Sequence, residues 1–193
     1  DVVTGQLARV YLVMNDWNNA LASATEVYSK YPSLMTKEQY RGGFDDVISK
    51  AYPEVIWAMK YTDQNNLGGG TQFNFWYNQD ASYGEGFTDG PIYAFLNFFV
   101  DGQYKNLFEE TEDRYQFWKR TNNASTEWST KWAYDKYKHY GDANGAVQGN
   151  TRPEVSLMRS AEMLLIMAEA SAQLNNGQGL IHLNKLQTAR NVR

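Results

Sequence analysis

The stretch from Leu157 to Leu174 constrains this chain more than any other, because it reads as a helix that is apolar nearly all the way round. Leu157, Ala161, Leu164, Leu165, Ala168 and Ala172 fall on one side, and Met158, Ile166 and Met167 lie elsewhere on the same helix. Such a helix is buried on most of its faces. It needs companions, and both ends of the chain supply them.

Val3, Leu7, Val10, Tyr11 and Met14 recur at three- and four-residue steps, which predicts a helix over 2–14. Asn15 or Asp16 caps a second helix whose stripe is Trp17, Ala20, Leu21, Ala24, Val27, Tyr28 and Tyr31, and Pro32 ends it. The two form a hairpin with a very short turn, and Ala20 and Ala24 let a neighbouring helix come close. Thr36 and Gln39 have capping-box spacing for a short helix that Gly42-Gly43 stops. At the other end, Asn175-Asn176-Gly177 closes the apolar helix, and 180–189 starts another amphipathic one.

Between these ends the period changes. Val55, Trp57, Met59 and Tyr61 alternate with Ile56, Ala58 and Lys60 behind Pro53, which predicts a strand over 52–61 with one bulky face. Residues 62–90 are rich in Gly, Asn and Gln with aromatics embedded, and hold no period for long. They read as a long loop, and long loops in compact proteins are usually functional. Pro91 suits the first turn of a helix carrying Ile92, Phe95, Leu96 and Phe99. A strand over 114–119 and a short element over 132–140 follow, then a polar turn region over 142–150 leads through Arg152-Pro153 into the apolar helix.

Composition decides between function classes. Of 193 residues, 15% are aromatic, carried by 14 Tyr, 9 Phe and 6 Trp, more than a helical core of this size needs. Surplus Tyr and Trp work where apolar surface meets water. A net charge of -4 with scattered acids and bases gives no footprint for a phosphate backbone, so nucleic acid is not expected as a partner. No stretch approaches the about 20 apolar residues that cross a bilayer, and the lack of Cys removes disulfides and thiolate chemistry. The chain opens Asp1-Val2-Val3 without an initiator Met, as a processed or truncated product would.

No catalytic constellation is expected. Arg159 and Glu162 are i,i+3 neighbours with Glu169 further along nearly the same face, and ionised groups on a buried helix must find mates, so they read as a structural network. Glu109, Glu110, Glu112 and Asp113 crowd along the chain, but crowding is not convergence on a glycosidic bond. His139 and His182 lie far apart without ligand spacing, so no metal is expected. Gly68-Gly69-Gly70 lacks the Lys of a phosphate loop, and Asn123-Ala124-Ser125 matches a glycosylation sequon by chance.

Function is placed in the middle loop. Phe73, Phe75, Trp76, Tyr77 and Tyr83 interleave with Gln72, Asn74, Asn78, Gln79 and Asp80. Sugars need this mixture, with ring faces for their axial C–H surfaces and amides or carboxylates for their hydroxyls. The Phe residues read as pins that hold the loop to the body. The expected glycan-binding set is Trp76, Tyr77, Tyr83, Asn78, Gln79 and Asp80.

The run Arg152-Pro153-Glu154-Val155-Ser156-Leu157-Met158-Arg159-Ser160-Ala161-Glu162, then Met163 to Ala170 with its Ala-Glu-Ala, then Leu183-Asn184-Lys185-Leu186 and Arg190, resembles the signature of the SusD/RagB family. Ala8 to Leu12 before Asn15-Asp16-Trp17 and Ala20 is similar to that family's tetratricopeptide-like hairpin, and Glu54-Val55-Ile56-Trp57 to its Asn-Glu-Val-Ile-Phe strand. Asp101-Gly102 and Asp113-Arg114 follow in the family's order. The chain departs from the pattern in the spacing of Arg190 and Arg193, and it is expected to be a fragment lacking the family's N-terminal part.

The resemblance implies a mainly α fold in a single unit over 1–193. Tetratricopeptide-like helix hairpins (1–32) pack against an irregular loop-rich part with a few short strands (52–150) and C-terminal helices (152–193). It further implies non-catalytic capture of extracellular glycans at an outer-membrane surface, without a cofactor. A SusC-like TonB-dependent transporter is the implied partner, and membrane attachment is only through a lipid anchor outside this chain. A carbohydrate-active enzyme and a helical-repeat scaffold that binds no sugar are the alternatives.

Overall fold

The structure is a computed structural model, and it describes residues 1–44, 47–60, 106–120, 132–134 and 154–192. In chain order the described elements are α1 (Val2–Val13), α2 (Trp17–Lys30), α3 (Lys37–Arg41), β1 (Val55–Lys60), β2 (Trp118–Arg120), β3 (Trp132–Tyr134), β4 (Glu154–Arg159), α4 (Ser160–Gln173) and α5 (Gly179–Ala189). The described chain is mainly α, as expected. The long loop over 62–90, the helix led by Pro91 and the turn region over 142–150 lie outside the described residues.

Helix ends follow local chemistry closely. α1 stops where Asn15 takes φ 59°, with the Asn15 N–H donating to the Leu12 carbonyl and the Asp16 N–H to the Tyr11 carbonyl. That paired pattern is a Schellman motif. Asp16 then caps α2, its carboxylate accepting from the Asn19 N–H at 3.3 Å. The same closure ends α4 at Asn175 and α5 at Asn191, both at positive φ. Asn is the non-Gly residue best suited to that conformation. The Thr36–Gln39 capping box forms in both directions, at 2.9 and 3.2 Å.

The chain divides into two compact units. The first comprises Asp1–Gln39, Val47–Met59 and Ser156–Arg193, and holds α1, α2, α4 and α5. There α2 packs between α1 and α4, α1 also touches α4, and α5 packs on α4. The core is Ala8, Ala20, Ala24, Val27, Tyr28, Met158, Met163, Leu164, Ile166, Met167 and Ala170. Each large aliphatic side chain buried there stabilises the fold by about 1.5–3 kcal/mol.

α1 corrects the expected stripe. Val3 (74%), Val10 (49%) and Met14 (66%) are exposed, and the face turned inward carries Gly5 and Ala8. Small residues win because they let α1 approach the core closely. A Cβ on Gly5 would stand 2.3 Å from the Met158 sulfur.

The expected apolar helix begins later than its pattern suggested. Residues 154–159 form β4, which pairs with β1 in a two-stranded sheet, and α4 starts at Ser160. α4 buries nine of its residues, from Ser160 to Ser171, while Leu165 is 47% exposed.

The second unit comprises Tyr40–Asp46 and Lys60–Val155. Tyr40, Phe44 and Phe117 pack their rings at centroid distances of 5.3 to 6.3 Å. The strand expected over 114–119 is a turn of 3-10 helix at Tyr115–Phe117 followed by β2, which pairs antiparallel with β3. Of the element expected over 132–140, residues 132–134 are described, and they form β3.

Candidate functional site

The residues expected to hold glycan, Trp76, Tyr77, Asn78, Gln79, Asp80 and Tyr83, lie outside the described residues. What the described residues bring together is the chemistry around Glu54. This carboxylate is fully buried just before β1. It accepts from the Met35 N–H at 2.8 Å, from Arg159 Nη1 at 2.8 Å, and from Arg190 Nη2. Arg190, itself 4% exposed, also donates to the Met35 carbonyl at 3.1 Å, and the Ser160 N–H closes onto the Glu54 carbonyl at 2.9 Å. One acid thus gathers the segment after α2, the end of β4, the start of α4 and the end of α5.

A second link binds α1 to the same body. Arg9 donates through Nε and Nη2 to the two oxygens of Glu162 at 2.5 and 2.6 Å, and to the Leu157 carbonyl at 2.6 Å. The Glu162 hydrogen bond holds the Arg9 guanidinium above its usual pKa, against partial burial that pulls the other way. These contacts correct the expected pairing of Arg159 with Glu162 and Glu169. Arg159 has extended backbone (φ -135°, ψ 153°), so helical spacing does not apply to it, and Glu169 is exposed. The network is structural, but its members come from far apart in the chain.

In the second unit the acids over 109–113 have local partners or Arg41. Asp113, 1% exposed, is held by Arg41 at 2.8 Å, and Glu112 by Arg114 at 2.6 Å, with the Arg114 guanidinium 4.8 Å above the Phe108 ring. Glu110 instead accepts from the Tyr115 hydroxyl at 3.3 Å, and Glu109 from Thr111. Among the described residues each buried acid of this unit has a cation, which is the arrangement of a fold-holding pair. Lys60 reaches the buried Glu154 at 3.0 Å in the same way. Among the described residues no group of three or more potential metal ligands gathers, and no helix is long and apolar enough to cross a membrane.

Sequence reasoning did not find the Glu54–Arg190 contact. Its only local signal is a lone acid at the mouth of an apolar strand and a lone base at the end of an amphipathic helix.

The profile of the SusD family matches residues 89–191, more than half of the chain. In fold, the chain is similar to the crystal structure of a SusD-like carbohydrate binding protein from Bacteroides vulgatus, with a TM-score of 0.73 and 29% identity over 100% of this chain and 37% of that one. It is also similar to a SusD superfamily protein from Bacteroides thetaiotaomicron (TM-score 0.70, 20% identity, 97% of this chain and 40% of that one) and to a SusD-like protein from Bacteroides fragilis (0.56, 16%, 98% and 46%). At those two identities the likeness is one of fold alone. The chain spans about two fifths of the length of these solved structures. No curated protein matches it.

Proposed function

Because the chain belongs to the SusD family, we propose that it is part of a protein that binds extracellular glycans without cleaving them. The observation that carries this reading is the likeness over the whole chain to a structure described as carbohydrate binding. The middle of the sequence supports it, since Trp76, Tyr77 and Tyr83 offer stacking faces next to the hydrogen-bonding groups of Asn78, Gln79 and Asp80. Stacking faces are shared by most hexoses, so this site is selective for pyranose rings as a class, with linkage read by the surrounding shape.

The finer proposal concerns the whole protein. The captured oligosaccharide is handed to a SusC-like TonB-dependent transporter at the outer face of the outer membrane, where a lipid anchor outside this chain holds the protein. The chain acts in it as one SusD/RagB-like unit. No step of bond cleavage is required, and the paired states of Glu112, Asp113 and Glu154 agree with that.

A panel of defined oligosaccharides tests both parts. Binding to at least one, with the sugar recovered intact after long incubation, is the expected result. Cleaved product would make the protein an enzyme, and silence across a broad panel would favour a helical scaffold that binds no sugar.

A further inference from the structure

α5 is attached to the helical body in an unusual way. Within Gly179–Ala189 no side chain is fully buried, and Leu186 is only partly covered where it packs against the core. Lys185 lies 4.9 Å above the Tyr28 ring, and a Cβ on Gly179 would come within 2.9 Å of the Ala168 carbonyl, so the helix lies close on α4 without inserting into it. The turn that leads into it is exposed from Asn175 to Gln178, with Asn175 (φ 51°) and Gly177 (φ 77°) both in the left-handed region. Only past its last helical residue does α5 reach the interior, where Arg190 enters the buried Glu54 carboxylate and the Met35 carbonyl.

We propose that α5 is a strap latched at one end by Arg190 in the Glu54 carboxylate, and that it opens as a unit about the 175–178 turn while α1, α2 and α4 stay closed. Elements with few buried apolar side chains open at lower free energy than the core they rest on. The latch is the main obstacle to opening, since release takes Arg190 from a paired, enclosed position and leaves Glu54 with Arg159 and the Met35 N–H. A swing at Gly177 and Gln178 leaves the end of α4 closed, since its Schellman donors are the Asn175 and Asn176 N–H groups, and breaks only the Gln178 N–H bond to the Asn176 side-chain oxygen.

Native-state hydrogen exchange of the 193-residue chain, followed by mass spectrometry at rising sub-denaturing urea, tests this. In the unmodified chain, amides of 179–189 should exchange through an opening at least tenfold more populated than that of α2 and α4. Arg190→Met should raise exchange of 179–189 by a further tenfold or more, and that of α2 and α4 by no more than the same factor, because their opening loses the latch as well. Exchange of α5 that follows α4 at every urea concentration overturns the proposal, even should the variant fail to fold. So does a variant in which exchange of α5 does not change.

Discussion

Replacing Glu54 by Leu tests the buried network most sharply. The substitution keeps most of the volume but leaves Arg190, whose side chain is 5% exposed, without its acid, and orphans the Met35 N–H. Arg159 loses the same partner but is 24% exposed and can turn to water. Removing one member of a buried pair costs about 3–5 kcal/mol, and the orphaned amide adds about 1–3 kcal/mol. Against a stability of about 5–15 kcal/mol for a domain, that brings Glu54→Leu close to unfolding. The companion is Glu54→Leu with Arg190→Met. With both buried charges gone, the apolar replacement should recover most of the loss, since well-packed apolar residues often equal or exceed a buried ion pair. Urea unfolding by circular dichroism and tryptophan fluorescence gives both values. A cost under about 1 kcal/mol for Glu54→Leu, or a double variant no more stable than the single one, would refute the reasoning.

Three further outcomes follow from the same contacts. Asn15→Gly should leave the melting temperature unchanged or slightly raised, and Asn15→Val should lower stability by about 1–2 kcal/mol, because a β-branched residue resists the left-handed conformation. Gly5→Ala should cost about 1–3 kcal/mol in urea titration by forcing the Met158 side chain aside, and Met158→Val in the same chain should relieve part of it. His182 has its pKa lowered by partial burial and, second, by Lys185. A proton therefore binds the unfolded chain more tightly, so this group's contribution is lost as pH falls through about 6.5. His182→Gln should flatten that acid-side slope, and proton NMR titration should place the midpoint below 6.5.

The residues show why some of the fold was legible and some was not. The α1–α2 turn, the Thr36–Gln39 box and the Asn175 stop are settled within five residues of chain, so their donors and acceptors can be read directly. Which side of α1 faces inward cannot be, because Gly5 is selected by the closeness of Met158, 153 positions away in sequence and known only after folding. Residues 157–159 fit a helical pattern as well as a strand, and pairing with β1 decided the matter. Arg159 was matched to Glu162 by spacing, yet its mate Glu54 stands 105 residues distant, and Arg190 joins the same acid from 136. Long-range charge pairs leave no local trace. The residues proposed to bind glycan are legible as a mixture of rings and amides, which names a ligand class.

The central claim is that the aromatic middle of the chain holds sugar rings, and calorimetric titration of an oligosaccharide found on the panel tests it directly. Trp76→Ala and Tyr77→Ala should each weaken binding by about 1 kcal/mol or more, close to fivefold. Trp57→Ala, which removes an exposed ring outside the proposed set, should leave it unchanged. Full affinity in the Trp76 and Tyr77 variants, with loss confined to Trp57→Ala, would contradict the account.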